Sequence, residues 1–327
     1  MAAIYQRKAP RWLREVPAVG CLRRVWVQQY YTTREEIRWR TETDGLPPAR
    51  LFLSSPYDDE AHLASKGTTH WVGYKVHLTE SCDPSLPRLI THVETTDAPI
   101  GDSDAVVPIH DALKAKALLP RMHLVDTGYV EAKLLVQIPR DYGVDLCGPT
   151  RSDYHWQSQA GHGFAAGDFQ IDWRRQEATC PQGQTSLSWT PAIDRGDNEV
   201  IKIKFSQRDC LPCPSRSRCT TSQQRRTITI RSHTAYDALQ KARMRQETGS
   251  FKKAYAQRAG IEGTISQGVR RCRLRRARYV GRAKTALQHI FTATALNFVR
   301  VGEWFAGTPL GKTRRSAFLS CLLPSPS

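Results

Sequence analysis

The sequence predicts an α/β fold on three observations. First, WVGYKVHLT (71–79) and RLITHVETT (88–96) alternate apolar and mostly polar residues, with Val72, Tyr74, Val76 and Leu78 on one face, as in half-buried strands. A loop containing Cys82-Asp83-Pro84 and Leu86-Pro87 joins them, so they read as an antiparallel pair. Second, DSDAVVPIHDALKAKALL (102–119) is an amphipathic helix whose acidic first turn complements the helix dipole. Third, the alternation continues: the apolar HLVDTGY ends in Asp126, EAKLLVQIPRDYG is helical up to about Pro139, and VDLCGP (144–149) is a short buried strand.

The flanks divide the chain further. Residues 1–69 read as a helical segment and a connector. RWLREVPAVGCLRRVWVQQYY (11–31) is helical with an interruption at Pro17, and 43–69 is rich in turn formers such as Asp44-Gly45, Pro47-Pro48 and Lys66-Gly67. Residues 70–149 are the first part of the α/β core. The pattern breaks at about 150, and 150–233 hold Trp-rich and β-branched segments, polar loops and four spaced cysteines. Helical periodicity resumes over 234–305. It closes in a helix of about 284–305 with Leu287, Ile290, Phe291 and Phe298 on one stripe. The basic, Pro/Ser-rich tail 306–327 has the composition of a disordered segment.

Composition narrows the class of partner. The 327 residues are 40% hydrophobic and 24% charged, as in a globular protein with a core, and no apolar run is long enough for a membrane helix. The net charge of +17 costs self-repulsion that a polyanion would relieve, which points to nucleic acid, although a merely basic surface has the same count. Nine cysteines, an odd number without an apolar leader, argue against a disulfide framework.

The charge is concentrated. In YAQRAGIEGTISQGVRRCRLRRARYVGRAK (255–284), Glu262 is the last acidic residue before Glu303. Eight cationic side chains follow it: Arg270, Arg271, Arg273, Arg275, Arg276, Arg278, Arg282 and Lys284. Tyr255, Arg258 and Glu262 share one helical face, so Glu262 is either a metal ligand working against a phosphate backbone or the surface ion-pair partner of Arg258. Asp126, at the end of an apolar strand, is either a ligand at a rigid sheet edge or the N-cap of the next helix. Together the two carboxylates suit hard divalent cations in phosphoryl transfer. Cys210-x2-Cys213-x5-Cys219 with Cys180 upstream offers four thiolates to a structural zinc ion, against the alternative of free loop thiols.

HLVDTGYVEAKLL and the Y-x2-R-x3-E pattern, with GYKVHLTE, LITHVETT and RRARYVGRAKTALQHIFTATALNFVRV in the same order, resemble the bacterial insertion-sequence transposases with a DDE catalytic triad. The resemblance covers roughly residues 50–305. It implies an RNase H-like core, a mixed sheet flanked by helices, with a Cys-rich insertion before the last catalytic helix. It implies Asp126 and Glu262 as second and third ligands of Mg²⁺ or Mn²⁺, with Tyr255 and Arg258 positioning the DNA backbone. It further implies double-stranded DNA at insertion-sequence ends as partner, no membrane, a homodimer in a synaptic complex, and a cytoplasmic, nucleoid-associated location. The Lys often found seven residues after the Glu is Val269 here, with Arg270 next. No residue before position 70 fits the family's first Asp motif; Asp59 is the fallback ligand. WLREVPAVGCLRRVWVQQYY looks like the end of a helical insertion that follows that first Asp, so the expectation is a chain that begins inside the transposase. Two functions follow: metal-dependent DNA strand cleavage and transfer, or a catalytically inactive remnant that binds DNA.

Overall fold

The computed structural model describes residues 2–34, 36–83 and 85–308. The expected tail is outside this range from residue 309 on, as is Pro84 of the inter-strand loop. The chain divides into two compact units, 1–99 with 260–327, and 100–259.

The first unit starts with α1 (Pro17–Gln29), followed by the short antiparallel pair β1 (Tyr30–Thr32) and β2 (Ile37–Trp39). The interruption expected at Pro17 is present: a 3₁₀ turn at Arg11–Arg14 ends before it and α1 starts on Pro17, whose fixed φ suits a first turn and whose missing N–H would have had no intrahelical partner. An antiparallel sheet follows, β3 (His62–Lys66), β4 (Thr69–Glu80) and β5 (Ile90–Asp97), in that order. β4 and β5 are the two expected strands. β3 lies inside the expected connector, and a two-residue turn at Gly67-Thr68, with Gly67 at φ 59°, folds it back on β4.

The second unit opens with α2 (Val106–Ala115), shorter than the expected 102–119 because residues 103–105 form a 3₁₀ turn and Ala117 takes a positive φ. Then come β6 (Met122–Leu124), α3 (Ala132–Tyr142) and β7 (Asp145–Cys147), with β6 and β7 parallel. α3 runs through Pro139 and ends at Gly143, in the left-handed region. One backbone hydrogen bond is forgone, and burial of Leu134 and Ile138 against Val106, Val125, Val130, Val144 and Leu146 outweighs it.

After the short α4 (Trp156–Gln159), a small β module contains β8 (Gln170–Asp172) paired with β9 (Glu177–Thr179), and β10 (Ser188–Ile193), β11 (Glu199–Lys204) and β12 (Thr227–Arg231) in one antiparallel sheet. The turns α5 (Gln207–Cys210) and α6 (Arg216–Cys219) lie between β11 and β12. Phe169, Ala178, Ile203, Phe205, Ile228 and Ile230 form its core. α7 (His233–Gln246) and α8 (Gly249–Tyr255) complete the unit, and Arg245 of α7 grips Asp145 of β7 through two hydrogen bonds of 2.8 and 2.7 Å.

The first unit resumes with α9 (Ala259–Cys272) and α10 (Arg282–Phe305). α10 packs on the β4–β5 sheet through Ala293 and Leu296 against Ile90, Leu78 and Val93. The amide of Asn297 brackets the backbone of Ile90 at 2.8 and 2.9 Å. The stripe expected to be buried is not: Leu287, Ile290, Phe291 and Phe298 are exposed, and the inward face is Thr285, Gln288, His289, Thr292, Ala293 and Leu296. That face is polar because its partners are polar, as where Thr95 of β5 meets the His289 ring at 2.8 Å. No described helix is long and apolar enough to cross a membrane. Parallel and antiparallel pairings are both present, in separate hydrogen-bonded sheets.

His289 is 4% exposed, and its burial pushes its pKa down to about 4. Between that value and the ordinary 6.5 the unfolded chain binds the extra proton, so stability is full above about pH 6.5 and falls toward pH 4. Thermal denaturation should therefore show the melting temperature dropping from pH 7 to pH 5. His289→Gln should flatten that slope by up to roughly 1.4 kcal/mol per pH unit.

Candidate active site

Asp126 stands two residues past the end of β6, where the chain leaves the parallel pair and turns into the 3₁₀ segment Thr127–Tyr129. Val125 N–H still bonds Cys147 O, so the site of Asp126 is anchored to β7 up to the preceding residue. The Asp126 carboxylate accepts the Thr127 N–H at 2.8 Å. It thus caps the 3₁₀ turn and not the next helix, which one sequence reading assigned to it: Glu131 is the N-cap residue of α3, and the Asp126 side chain remains half exposed. The cap and a second function do not compete, because a carboxylate has about four acceptor positions.

Arg258 comes from the helical run that follows α8 and reaches Asp126 at 3.6 Å. Its guanidinium lies over the Tyr255 ring, 5.9 Å from the centroid, and Tyr255 stacks on Phe251. The Tyr255 and Arg258 of the sequence pattern therefore act as a stacked arm that ends on Asp126. Glu262, four residues further along the chain, is exposed in the first turn of α9.

Asp102, marked in the sequence only as part of an acidic helix turn, also lies beside this segment. Its carboxylate lies so close to Gly128 that a β-carbon there would sit 2.8 Å from Oδ2. Burial pushes the Tyr129 hydroxyl far above its ordinary pKa, and the charges of Asp102 and Asp126 push it the same way, against Arg258. Tyr129 therefore stays a neutral hydroxyl beside two carboxylates.

The cationic residues occupy the end of α9, the following loop and the start of α10. Arg270, Arg271, Arg273, Arg275, Arg276, Arg278 and Lys284 are all exposed. Arg273 takes a positive φ (54°), and Leu274 folds back so that its N–H bonds Gly268 O, closing the helix end. Gln288 of α10 pins the loop backbone, accepting from Arg278 N–H at 2.8 Å and donating to Arg276 O at 2.9 Å. The guanidiniums project from a fixed loop.

Asp59, the fallback ligand, pairs with Arg24. Its neighbours cap α10: Asp58 accepts the Gly281 N–H at 3.0 Å and Glu60 the Arg282 N–H at 2.6 Å. Cys180, Cys210, Cys213 and Cys219 line one small pocket with Phe164, Phe169 and Phe205. The Cys219 thiol is pushed up by burial and, secondarily, by the other three cysteines, against Arg226. The expected closed thiolate set is not formed, however. Among the described residues no three or more His, Cys, Asp or Glu side chains are disposed to hold a metal ion. The thiols come from separate short elements whose spacing is set by the surrounding aromatic core.

Gly128→Ala should press on Asp102 and cost about 1–3 kcal/mol, as overpacking does. Chemical denaturation should show most of that loss recovered in the Gly128→Ala/Asp102→Ala double variant.

No curated protein and no solved structure matches this chain. Residues 179–302, which include the cysteine group, Glu262 and the cationic loop, match the family model described as Transposase DDE domain, which supports a DDE transposase reading of that stretch.

Proposed function

We propose that the chain acts on double-stranded DNA at insertion-sequence ends, by metal-dependent strand cleavage and transfer, with Asp126 and Glu262 as the carboxylates of the reaction centre. The observation that carries this is the Asp126–Arg258 pair: a half-exposed carboxylate at a strand end, held by the arginine of the same Y-x2-R-x3-E pattern that supplies Glu262. A strand-end carboxylate on a parallel pair, followed by a helix-borne glutamate, supports an RNase H-like reading of the core, interrupted over 150–233 by the cysteine-containing β module.

Asp126 and Glu262 offer hard oxygen donors, which fit Mg²⁺ or Mn²⁺; such an ion, when bound, supplies charge neutralisation and activation of a water or 3′-hydroxyl. The remaining work belongs to the chain. The attacking oxygen adds to the scissile phosphorus and gives up its proton as the P–O3′ bond breaks and the departing strand leaves as a 3′-hydroxyl. In transfer, that hydroxyl attacks a target phosphodiester in the same way. Arg258, braced by Tyr255, orients Asp126 and lies where it can meet a phosphate oxygen. The exposed loop guanidiniums hold the backbone on either side without reading sequence. A synaptic homodimer and a nucleoid-associated bacterial location belong to the same reading.

The thiols of Cys180, Cys210, Cys213 and Cys219 are the right donor type for a structural zinc ion, which would have to draw them closer and displace their protons. A second reading, DNA binding without cleavage, is favoured by one observation. Asp59, the fallback first ligand, is engaged by Arg24.

Cleavage assays on cognate element ends with Mg²⁺ or Mn²⁺ separate the two. On the first reading Asp126→Asn and Glu262→Gln each abolish cleavage and strand transfer while leaving DNA affinity within a few-fold. An unmodified chain that binds the ends but never cuts them establishes the second. In parallel, replacing Arg273, Arg275 and Arg276 with Gln should weaken binding to all sequences alike and reduce the salt slope by about 2–3. A sequence-selective loss would instead make these residues base readers. Metal analysis of purified protein tests the zinc proposal: one zinc per chain, lost in Cys213→Ser with a lower melting temperature, supports it. Zinc-free protein with an unchanged Cys213→Ser variant removes it.

A further inference from the structure

We propose that Glu80, Thr264 and Arg300 form a buried polar lock that fixes the rotational phase of α9 and thereby aims Glu262, so that they are positioning residues for the reaction centre. The inference rests on the reading of Glu262 as a metal carboxylate.

The lock is a closed triangle inside one unit. The Thr264 hydroxyl, with the residue fully buried, donates to Glu80 Oε2 at 2.5 Å. Arg300 donates to the same Oε2 at 2.9 Å and to the Thr264 oxygen, and its Nη1 also reaches Arg88 O at 2.7 Å. The Glu80 and Arg300 side chains are 6% and 14% exposed. The end of β4, the loop before β5, α9 and α10 are thus tied at one point. Arg88 adds a steric stop: a β-carbon on Gly260 would lie 2.0 Å from Arg88 Nη1 and 3.1 Å from Glu80 Oε1. Any side chain at position 260 would displace the Arg88 guanidinium, which packs directly on the α9 backbone there.

The consequence is angular. At about 100° per residue, positions 260 and 264 lie within about 40° of each other, and position 262 points to the opposite side of the helix. Gly260 and Thr264 face the lock, Glu262 is exposed, and the exposed Gly263 and Ile265 flank it. Rotating α9 to re-aim Glu262 would break hydrogen bonds to a buried charge pair or drive Gly260 into Arg88. Both are costly where water cannot substitute. A metal carboxylate must hold its geometry to within a fraction of an ångström, and a support of this kind is what supplies that precision.

The test compares Thr264→Val, Thr264→Ser, Gly260→Ala and Glu262→Gln by Mn²⁺ titration followed by electron paramagnetic resonance on DNA-bound protein, a readout that needs no turnover. DNA affinity and melting temperature are measured beside it. The lock predicts that Thr264→Val raises the Mn²⁺ half-saturation about tenfold with DNA affinity within twofold of the parent. Thr264→Ser, which keeps the hydroxyl, restores it to within twofold. Gly260→Ala, which keeps every polar group, should weaken Mn²⁺ binding in the same sense, and it carries the test if Thr264→Val does not fold. Mn²⁺ binding lost in Glu262→Gln but unchanged in folded Thr264→Val and Gly260→Ala overturns the lock alone. Mn²⁺ binding unchanged in Glu262→Gln overturns the assignment of Glu262, and the lock with it.

Discussion

The first unit is organised around one buried ion pair, Glu80 with Arg300. Two charges out of water are tolerated only when their hydrogen-bonding groups find partners, and here the partners come from four separate places in the chain. That requirement brings the end of β4, the loop before β5, α9 and α10 to one point. The adjoining apolar contacts of Ile90, Ala293 and Leu296 supply area, which is non-directional. The ion pair supplies direction.

A similar division of labour recurs at the other end of α10. Its first N–H groups are met by Asp58 and Glu60, and Asp58 also receives the Tyr74 hydroxyl from β4. Burial, and then the Asp58 hydrogen bond, drive that hydroxyl well above its usual pKa, so it remains a donor. Acidic residues in a strongly basic chain are thus spent on structure: they cap α10, pair with Arg24 and hold Arg245 and Arg300. The cations of the 270–284 loop have no acidic residue among them in sequence and are exposed, which suits a surface for a polyanion.

In the second unit, the β6–α3–β7 core sets where Asp126 stands, and the aromatic core of the β module sets where the cysteines stand. The two are different kinds of constraint. A strand end fixes a side chain to within the precision of a hydrogen-bonded ladder, and the ladder to β7 continues through Val125, the residue before Asp126. Short turns place four thiols in one aromatic-lined pocket, where no three of them are disposed to hold a metal ion.

What the sequence by itself determined is whatever depends on neighbours two to four residues apart. The alternation in β4 and β5, the strand-end position of Asp126, the helical setting of Glu262 and the density of cations after it are all of this kind. So is the resemblance built on their order. Only the tertiary structure decided the rest. β3 was hidden because its register comes from β4 across a two-residue turn rather than from its own weak pattern. The stripe of Leu287, Phe291 and Phe298 was misjudged because polar partners on β5 selected the face with His289 and Gln288 instead. Asp102, Glu80 and Arg300 lie in segments that the sequence singles out, but nothing local marks what they contact. Glu80 meets Thr264 across 184 residues and Arg300 across 220, and a hydrogen bond of a few ångströms between such positions exists only once every intervening element has been placed.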